Sequence, residues 1–214
     1  MSRPIADIRK DYRLHSLNET DVAANPMEQF TRWWDDAVRS EIEEVNAMTL
    51  ATVNTEGFPT ARIVLLKGYD AKGFVFFTNY QSNKGKEMEQ NPHACLVFFW
   101  KELERQVRIE GLVEKISAAD SEEYFQSRPV GSRIGAWASP QSTVIPNREV
   151  IENNVTELEK KYANTPVPRP EHWGGYIVKP VSIEFWQGRS SRLHDRILYT
   201  AQKDVSWKIQ RLAP

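Results

Sequence analysis

The 214-residue sequence has little of three features that often mark a function class: cysteine, net charge and long apolar runs. Its single cysteine, Cys95, cannot form a disulfide within the chain. The 28 Lys and Arg residues nearly cancel the 29 Asp and Glu residues, so the chain has no general attraction for nucleic acid or an anionic membrane. No apolar run reaches the length of a membrane span, and the N-terminus lacks a signal-peptide core. We therefore expect a soluble, cytoplasmic protein that binds neither nucleic acid nor membrane.

Two common ligand-binding patterns are also missing. The four histidines are scattered and have no partners at zinc spacing, so the sequence predicts no metal site. Neither of the glycine-rich loops that cradle phosphates is present, whether of the P-loop or of the dinucleotide-binding type. A phosphorylated ligand would therefore have to be held by side chains.

The apolar content is high enough to build a core. Apolar residues make up 40% of the chain and aromatic residues 11%, a composition typical of a folded domain. The length suits one domain over residues 1–214. Asn25 and Pro26 form a helix-start pattern that is completed by Glu28 in capping-box style. The apolar residues that follow at helical spacing predict one buried face: Phe30, Trp33, Trp34, Ala37 and Val38.

From residue 46 the pattern changes to short β-rich runs. Asn54–Gly57 and Asp70–Gly73 have the composition of type I turns and predict hairpins. The predicted strands are 47–53, 61–67, 73–79, 94–100, 105–115, 174–178, 182–187, 195–200 and 205–210, and the later helices are 82–90, 117–126 and 147–162. Because the strands do not alternate regularly with helices, the sequence predicts a mainly β fold with flanking helices, an antiparallel barrel.

Three clusters of polar and basic residues could bind phosphate. Arg62 and Lys67 bracket an apolar strand, and their odd separation predicts that they face opposite sides and serve different ligands or phosphates. Residues 78–84 join a strand end to a helix start, where free N–H groups favour an anion. Residues 124–132 supply Tyr, Arg and Ser donors. Each cluster also has an ordinary explanation: cations that end a buried strand, N-capping by Ser82, or a polar surface loop.

The C-terminal tail is locally basic. From Trp186 onward, the chain has six Lys or Arg residues and only two acidic residues. Arg192, His194 and Arg196 alternate along a predicted strand, so all three could project from one face into a cavity. A structural role for His194, paired with Asp195, is the alternative. Crowding of cationic groups on one face favours an anion between them.

These motifs resemble those of the pyridoxine/pyridoxamine 5′-phosphate oxidases, FMN enzymes that make pyridoxal 5′-phosphate. The resemblance extends from about Arg9 to Pro214. It is carried by the segments Arg62-Ile63-Val64-Leu65-Leu66-Lys67, Glu104-Arg105-Gln106-Val107, Ser127-Arg128-Pro129, Ile134-Gly135-Ala136, Trp173-Gly174-Gly175, Phe185-Trp186-Gln187-Gly188 and Arg192-Leu193-His194-Asp195-Arg196. It implies an FMN-binding split β-barrel and a homodimer with FMN at the subunit interface. The implied reaction passes hydride from C4′ of pyridoxine or pyridoxamine 5′-phosphate to flavin N5, and O2 then gives H2O2, with ammonia released from the amine.

The resemblance also implies the site residues. Those implied for FMN are Arg62, Ile63, Val64, Leu65, Leu66, Lys67, Phe77, Thr78, Lys84, Gln106, Gln141, Ser142, Trp186 and Arg196. Those implied for the substrate are Arg9, Lys10, Asp11, Tyr12, Lys67, Tyr124, Arg128, Ser132, Arg192, Leu193 and His194, with Arg192 and His194 as catalytic residues. Residues 1–24 would be a mobile segment that can close over the substrate, and the strands of 173–214 would carry active-site residues.

The sequence departs from the pattern of this family at two positions, Phe77 of the implied site and Asn83 next to Lys84, and two other functions fit the same barrel. Asn83 stands where many relatives have Arg, and Phe77 replaces a frequent Tyr, which predicts weaker FMN binding. One alternative function is a non-catalytic protein that binds a flavin or a B6 phosphate, but the intact Arg192 and His194 count against it. The other is a flavin reductase that acts on nicotinamide cofactors. The residues that the resemblance implies for the substrate phosphate count against it, because they suit a small monophosphate: Lys67, Tyr124, Arg128 and Ser132.

Overall fold

The first long helix begins where the capping pattern places it. In the computed structural model, which describes residues 4–214, the Met27 backbone N–H donates to the Asn25 side chain at 2.8 Å. Helix α1 then covers Pro26–Arg39. A side-chain acceptor at this position satisfies one of the free N–H groups of the first turn. The first three residues of the predicted 1–24 segment lie outside the described part of the chain.

Helix α1 buries the predicted face in part. Phe30, Trp33 and Ala37 are buried, and Trp34 is half-buried against the core. Val38, which was predicted on the same face, is exposed in the last turn. The Phe30 ring lies within 4.9–6.1 Å of five other aromatic rings, those of Trp34, Tyr69, Phe74, Phe98 and Trp100. Burying side chains of this size stabilises the fold by roughly 1.5–3 kcal/mol each.

The other elements follow in chain order. The strands are β1 Ala47–Val53, β2 Pro59–Leu65, β3 Gly68–Asp70, β4 Gly73–Asn79, β5 His93–Trp100, β6 Arg105–Lys115, β7 Trp173–Gln187, β8 Asp195–Ala201 and β9 Trp207–Leu212. The helices after α1 are α2 Asn83–Gln90, α3 Ala118–Ser127, α4 Val130–Ala138 and α5 Glu149–Lys161. Short 3-10 helices lie at Ile5–Asp7, Lys101–Leu103 and Ser190–Arg192. Within residues 4–214, no helix combines the length and apolar character that a membrane crossing needs.

Strand β7 organises the sheet. The strand order is β2-β1-β5-β6-β7-β4-β3, and β8 and β9 continue from β7 on a second branch. Every pairing is antiparallel. β7 pairs with β4 through Trp173–Val178 and with β8 through Ser182–Gln187. A bulge between Glu110 and Gly111 of β6 accompanies this change of partner. The sheet therefore curves into a barrel that splits along β7.

The two faces of the sheet differ. The inner face is buried and apolar, with Leu50, Phe98, Ile109, Phe185 and Tyr199 fully enclosed. The outer face carries exposed apolar side chains, including Ile63 at 64% exposure and Phe99 at 53%. Exposed apolar groups on one sheet face are typical of a surface that contacts another protein.

The predicted fold class is confirmed, with several boundary errors. The predicted strands 174–178 and 182–187 form one continuous strand, and the predicted strand 61–67 runs instead over Pro59–Leu65. Strand β3 and helix α4 were not predicted. α4 contains Gly131 and Gly135 after a proline, a composition that disfavours helix, so its formation depends on tertiary packing.

Candidate active site in two cavities

The larger cavity, here the basic cavity, has a volume of about 730 Å³ and lies among β2, β4 and helices α3 and α4. Twelve of the residues implied for the site line it: Arg62, Ile63, Val64, Leu65, Lys67, Phe77, Thr78, Lys84, Tyr124, Arg128, Ser132 and Gln141. The lining residues that were not predicted are Asn79, Pro129, Gly135, Ala136, Ser139 and Trp173. Pro129, Gly135, Ala136 and Trp173 belong to the segments that carry the family resemblance, so the resemblance could have indicated them.

Arg62 is held by a buried carboxylate. One oxygen of Glu87 accepts from the Thr60 hydroxyl at 2.7 Å and from the Arg62 guanidinium at 3.1 Å. The Thr52 hydroxyl also donates to Glu87, and Arg62 donates to Thr52. Burial alone would raise the pKa of Glu87, but these hydrogen bonds outweigh it and hold the pKa below its ordinary value. Glu87, which the sequence did not indicate, therefore fixes the direction of the Arg62 side chain.

The pKa of Glu87 predicts an acid-dependent loss of stability. Because its folded pKa is depressed, the stabilisation is fully present above the unfolded pKa and is lost as pH falls through the folded pKa. We expect Glu87→Gln to lower the free energy of unfolding near neutral pH, with a difference from wild type that shrinks below about pH 4.5. Urea unfolding between pH 3 and pH 8 measures this, and a difference that grows on acidification would contradict it.

Lys84 is the second cation of the cavity. Its Nζ donates to the Ser82 hydroxyl at 3.2 Å and to the Gln141 side chain at 3.1 Å. Burial, followed by the nearby Arg62 charge, lowers the pKa of Lys84. The Ser82 hydroxyl also caps α2 by accepting from the Gly85 N–H, so the capping interpretation of this cluster is observed. A bound anion between Lys84 and Arg62 would relieve their repulsion.

Replacement of Lys84 tests the anion subsite. We expect Lys84→Met to weaken FMN binding by about 10- to 100-fold, because a charge-assisted hydrogen bond to a phosphate contributes roughly 1.5–3 kcal/mol. Fluorescence titration of apoprotein with FMN gives the dissociation constant. Lys86→Met, at an exposed lysine of the same helix, is the control. Equal affinity in wild type and Lys84→Met would remove Lys84 from the FMN site.

Arg128 carries an unpaired donor. Its guanidinium carbon lies 4.5 Å from the Trp173 ring centroid, and its Nη1 is buried with no hydrogen-bond partner among residues 4–214. Burial lowers the pKa of Arg128. Buried donors without partners are uncommon, and one that borders a cavity is suited to an anionic ligand. Stacked rings of Phe77 and Tyr124, 3.9 Å between centroids, form the wall beside it.

Lys67 does not lie where the strand pattern predicted. β2 ends at Leu65, and the next two N–H groups bond to different segments: Leu66 to Asn46 and Lys67 to Val75. The two-residue period is therefore broken before Lys67. The argument that Arg62 and Lys67 face opposite sides therefore does not extend to Lys67, and both residues line the same cavity.

The second cavity, here the histidine cavity, has a volume of about 540 Å³. It is lined by Ile8, Arg9, Lys10, Asp11, Tyr12, Arg189, Ser191, Arg192 and His194. The N-terminal segment and the predicted catalytic residues, 180 or more positions apart in sequence, are thus brought together as the resemblance implies. The two cavities share no lining residue.

The prediction that Arg192, His194 and Arg196 share one strand face is wrong. After β7 the chain makes a 3-10 turn in which Ser191 and Arg192 have φ of 56° and 62°, and β8 begins only at Asp195. A reversal is needed here because β8 returns antiparallel to β7. Arg192 and His194 still line one cavity, but Arg196 pairs with Glu184 at 2.8 Å.

His194 is held as a neutral ring. Its Nδ1 accepts the backbone N–H of Arg189 at 3.1 Å, and its ring lies 4.5 Å from that of Trp186. Burial and then the Arg192 charge lower the pKa of His194. Since Nδ1 is an acceptor, Nε2 carries the ring proton. Asp195 is bonded elsewhere, to the Leu17 N–H and to the side chains of Arg189 and Arg211, so the paired structural role for His194 is not observed.

The remaining implied residues line neither cavity. Gln106, Trp186 and Arg196 are directly paired across β6, β7 and β8, and form one row on the outer face of the sheet. The other three are Leu66, which is buried in the core, Ser142 in the loop after α4, and Leu193, which is exposed. The structure of one chain therefore divides the implied site into two cavities and an outer row.

Comparison with known proteins gives the family. A model described as pyridoxamine 5′-phosphate oxidase matches residues 34–162, and one described as a pyridoxine 5′-phosphate oxidase C-terminal dimerisation region matches 173–214. A pyridoxine/pyridoxamine 5′-phosphate oxidase of Trichormus variabilis is 58% identical over the full length of both chains. One of Cupriavidus pinatubonensis is 58% identical over 98% of this chain and 99% of its own. This chain belongs to the pyridoxamine 5′-phosphate oxidase family. The predicted oxidase class and FMN cofactor are thereby confirmed.

Solved structures agree with the family. PhzG from Burkholderia lata, in complex with tetrahydrophenazine-1-carboxylic acid, superposes with a TM-score of 0.86 at 28% identity, covering 91% of this chain and 95% of its own. A pyridoxamine 5′-phosphate oxidase-related, FMN-binding protein from Nostoc punctiforme gives 0.72 at 19% identity, covering 90% and 100%. The fold is therefore the FMN-binding split barrel, and the match to a dimerisation region supports a homodimer.

Proposed function

We propose that this family member oxidises pyridoxine 5′-phosphate and pyridoxamine 5′-phosphate to pyridoxal 5′-phosphate. The alcohol and O2 give the aldehyde and H2O2; the amine, O2 and water give the aldehyde, ammonia and H2O2. The relatives at 56–59% identity carry the name of this activity. The main support for this proposal is the basic cavity, which is lined by four cations. Arg62 and Lys84 are implied for FMN, Arg128 is implied for the substrate, and Lys67 is implied for both.

The basic cavity fits FMN together with a substrate. Arg62, fixed by Glu87, and Lys84 would hold the flavin phosphate, while Thr78 and Gln141 supply further polar contacts. A cavity of about 730 Å³ is within the range of cofactor sites. Cations of this kind suit phosphate by charge and by hydrogen-bond geometry. When bound, FMN supplies the acceptor for the hydride that leaves C4′ of the substrate.

The substrate phosphate has its own donors. Lys67, Tyr124, Arg128 and Ser132 border the basic cavity, and Nη1 of Arg128 has no hydrogen-bond partner in the part of the chain that the structure describes. A monophosphate in this position would be anchored at one end, which leaves its pyridine ring to be placed by other residues. Holding the reacting carbon in one orientation removes much of the entropic cost of the reaction.

We propose that the histidine cavity of a second copy covers that ring. The dimerisation match spans 173–214 and so contains both Arg192 and His194. Arg192 would orient the pyridine ring and stabilise the negative charge that develops on the acceptor side when hydride leaves C4′, and the Nε2–H of neutral His194 would donate a hydrogen bond to the substrate. Gln106, Trp186 and Arg196, on the outer face, would reach the flavin from the same second copy. Each active site would then combine two subunits.

One assay tests this function. The purified, FMN-loaded protein is incubated in air with pyridoxine 5′-phosphate, pyridoxamine 5′-phosphate or NADH, and aldehyde and H2O2 are followed. We expect aldehyde and H2O2 from both phosphates and no oxidation of NADH. The absence of aldehyde from either phosphate would contradict the proposal, whereas oxidation of NADH alone would favour a flavin reductase.

A further inference from the structure

A buried carboxylate joins the N-terminal segment to the rest of the chain. Glu104 follows the short helix Lys101–Leu103 and is only 2% exposed. Its Oε2 accepts the backbone N–H of Arg13 at 2.8 Å and that of Leu14 at 3.1 Å. The Lys10 ammonium lies 3.4 Å from Oε1. Hydrogen bonds to an ionised carboxylate are stronger than neutral ones, so this group is a strong attachment for an otherwise irregular segment.

The backbone of Glu104 is tied to the catalytic turn. Its carbonyl accepts the Gly188 N–H at 2.7 Å and the Gln187 side-chain amide at 3.2 Å. Gly188 is the first residue after β7, and the turn that carries Arg192 follows it. Glu104 therefore contacts both sides of the histidine cavity. Its side chain binds the N-terminal segment that forms one wall, and its backbone binds the chain that leads to Arg192 in the other wall.

Gly188 provides the second attachment. A Cβ at this position would lie only 2.5 Å from Cδ2 of the Tyr12 ring. The ring can therefore pack against Gly188 only because glycine has no side chain. Tyr12 also makes an edge contact with Trp186, 5.9 Å between centroids, and lies 6.1 Å from His194. The backbone of Gly188 does not have a positive φ, so alanine would be tolerated by the backbone and would act by displacing Tyr12.

We propose that Glu104 is a positioning residue: its carboxylate, together with the Tyr12–Gly188 contact, holds residues 10–14 in place as a wall of the histidine cavity. This role rests on the proposed function for its kinetic consequence. Without the attachment, the segment would open locally, since every residue of 10–14 except Tyr12 is exposed. The wall would then be formed in only a fraction of the molecules, and the apparent dissociation constant for substrate would rise in inverse proportion to that fraction.

Two measurements on FMN-loaded protein test this role. Trypsin cleavage after Lys10 or Arg13, followed by mass spectrometry, reports how often the segment opens. Steady-state kinetics with pyridoxine 5′-phosphate separates KM from kcat. We expect Glu104→Ala to speed cleavage and to raise KM by about 10-fold each, with kcat within about twofold of wild type and FMN content unchanged. Glu104→Gln, which keeps an acceptor oxygen, should fall between the two.

Two further variants complete the design. Glu102→Ala, in the same short helix but half exposed, should match wild type. Gly188→Ala would displace the Tyr12 ring from its contact with Gly188, so we expect it also to speed trypsin cleavage and to raise KM.

The proposal is overturned if folded Glu104→Ala is cleaved at the wild-type rate, or if its FMN content and melting temperature fall in step with its activity. If wild-type protein oxidises neither phosphate, the proposed function fails, while the cleavage comparison still decides the role of Glu104.

Discussion

Replacing Arg192 with alanine is expected to lower kcat/KM by about 10²- to 10³-fold with either phosphate, because it removes a fixed positive group from the reacting centre. Arg192 borders the histidine cavity beside His194, and both lie in a turn whose unusual backbone angles fix their direction. Arg192 does not line the basic cavity of its own chain, whose Arg62 and Lys84 would hold the flavin phosphate. The FMN content of the purified variant should therefore stay at the wild-type level.

Absorbance of the bound flavin and initial rates of aldehyde formation measure the two quantities on one preparation. Lys203→Ala removes an exposed cation from the same basic tail and should leave both unchanged. Parallel loss of FMN and activity in Arg192→Ala would assign Arg192 to cofactor binding instead.

Arg128→Ala is expected to raise KM for the phosphorylated substrates by about 10²-fold, the upper end of what a charge-assisted hydrogen bond contributes. The buried Nη1 of Arg128 has no partner within residues 4–214, so a substrate phosphate would supply its acceptor. Because this contact is remote from C4′, kcat should change much less than KM. Arg148→Ala, at a surface arginine, is the control. A loss of FMN with an unchanged KM would place Arg128 at the cofactor phosphate.

Local sequence signals predicted most of the fold. The Asn25 cap, the Ser82 cap and the turn at Asp70–Gly73 each depend on neighbours within four residues, and each occurs as predicted. Helix α4 and the left-handed turn at Ser191 have no such signal, because glycine-rich helices and positive φ at serine are imposed by tertiary contacts. This turn is why the alternation of Arg192, His194 and Arg196 predicted the wrong local structure.

The site was predictable in its residue types and only partly in its geometry. The motifs named the cations of the basic cavity, but nothing in the sequence linked Glu87 to Arg62 or Glu104 to Arg13, since these pairs are 25 and 91 residues apart. Nor could spacing show that Arg62 and Arg192 line separate cavities. Buried carboxylates that orient other side chains become visible only when the chain is folded.

In the proposed dimer, one active site combines the basic cavity of one subunit with the histidine cavity of the other. A heterodimer of Arg128→Ala and Arg192→Ala subunits, purified with two different tags, tests it at a substrate concentration near the wild-type KM. One of its two sites would contain both substitutions and the other neither, so we expect about half of the wild-type activity from two nearly inactive parents. Activity no higher than that of the two parent homodimers would contradict it, because each site would then be built within a single chain.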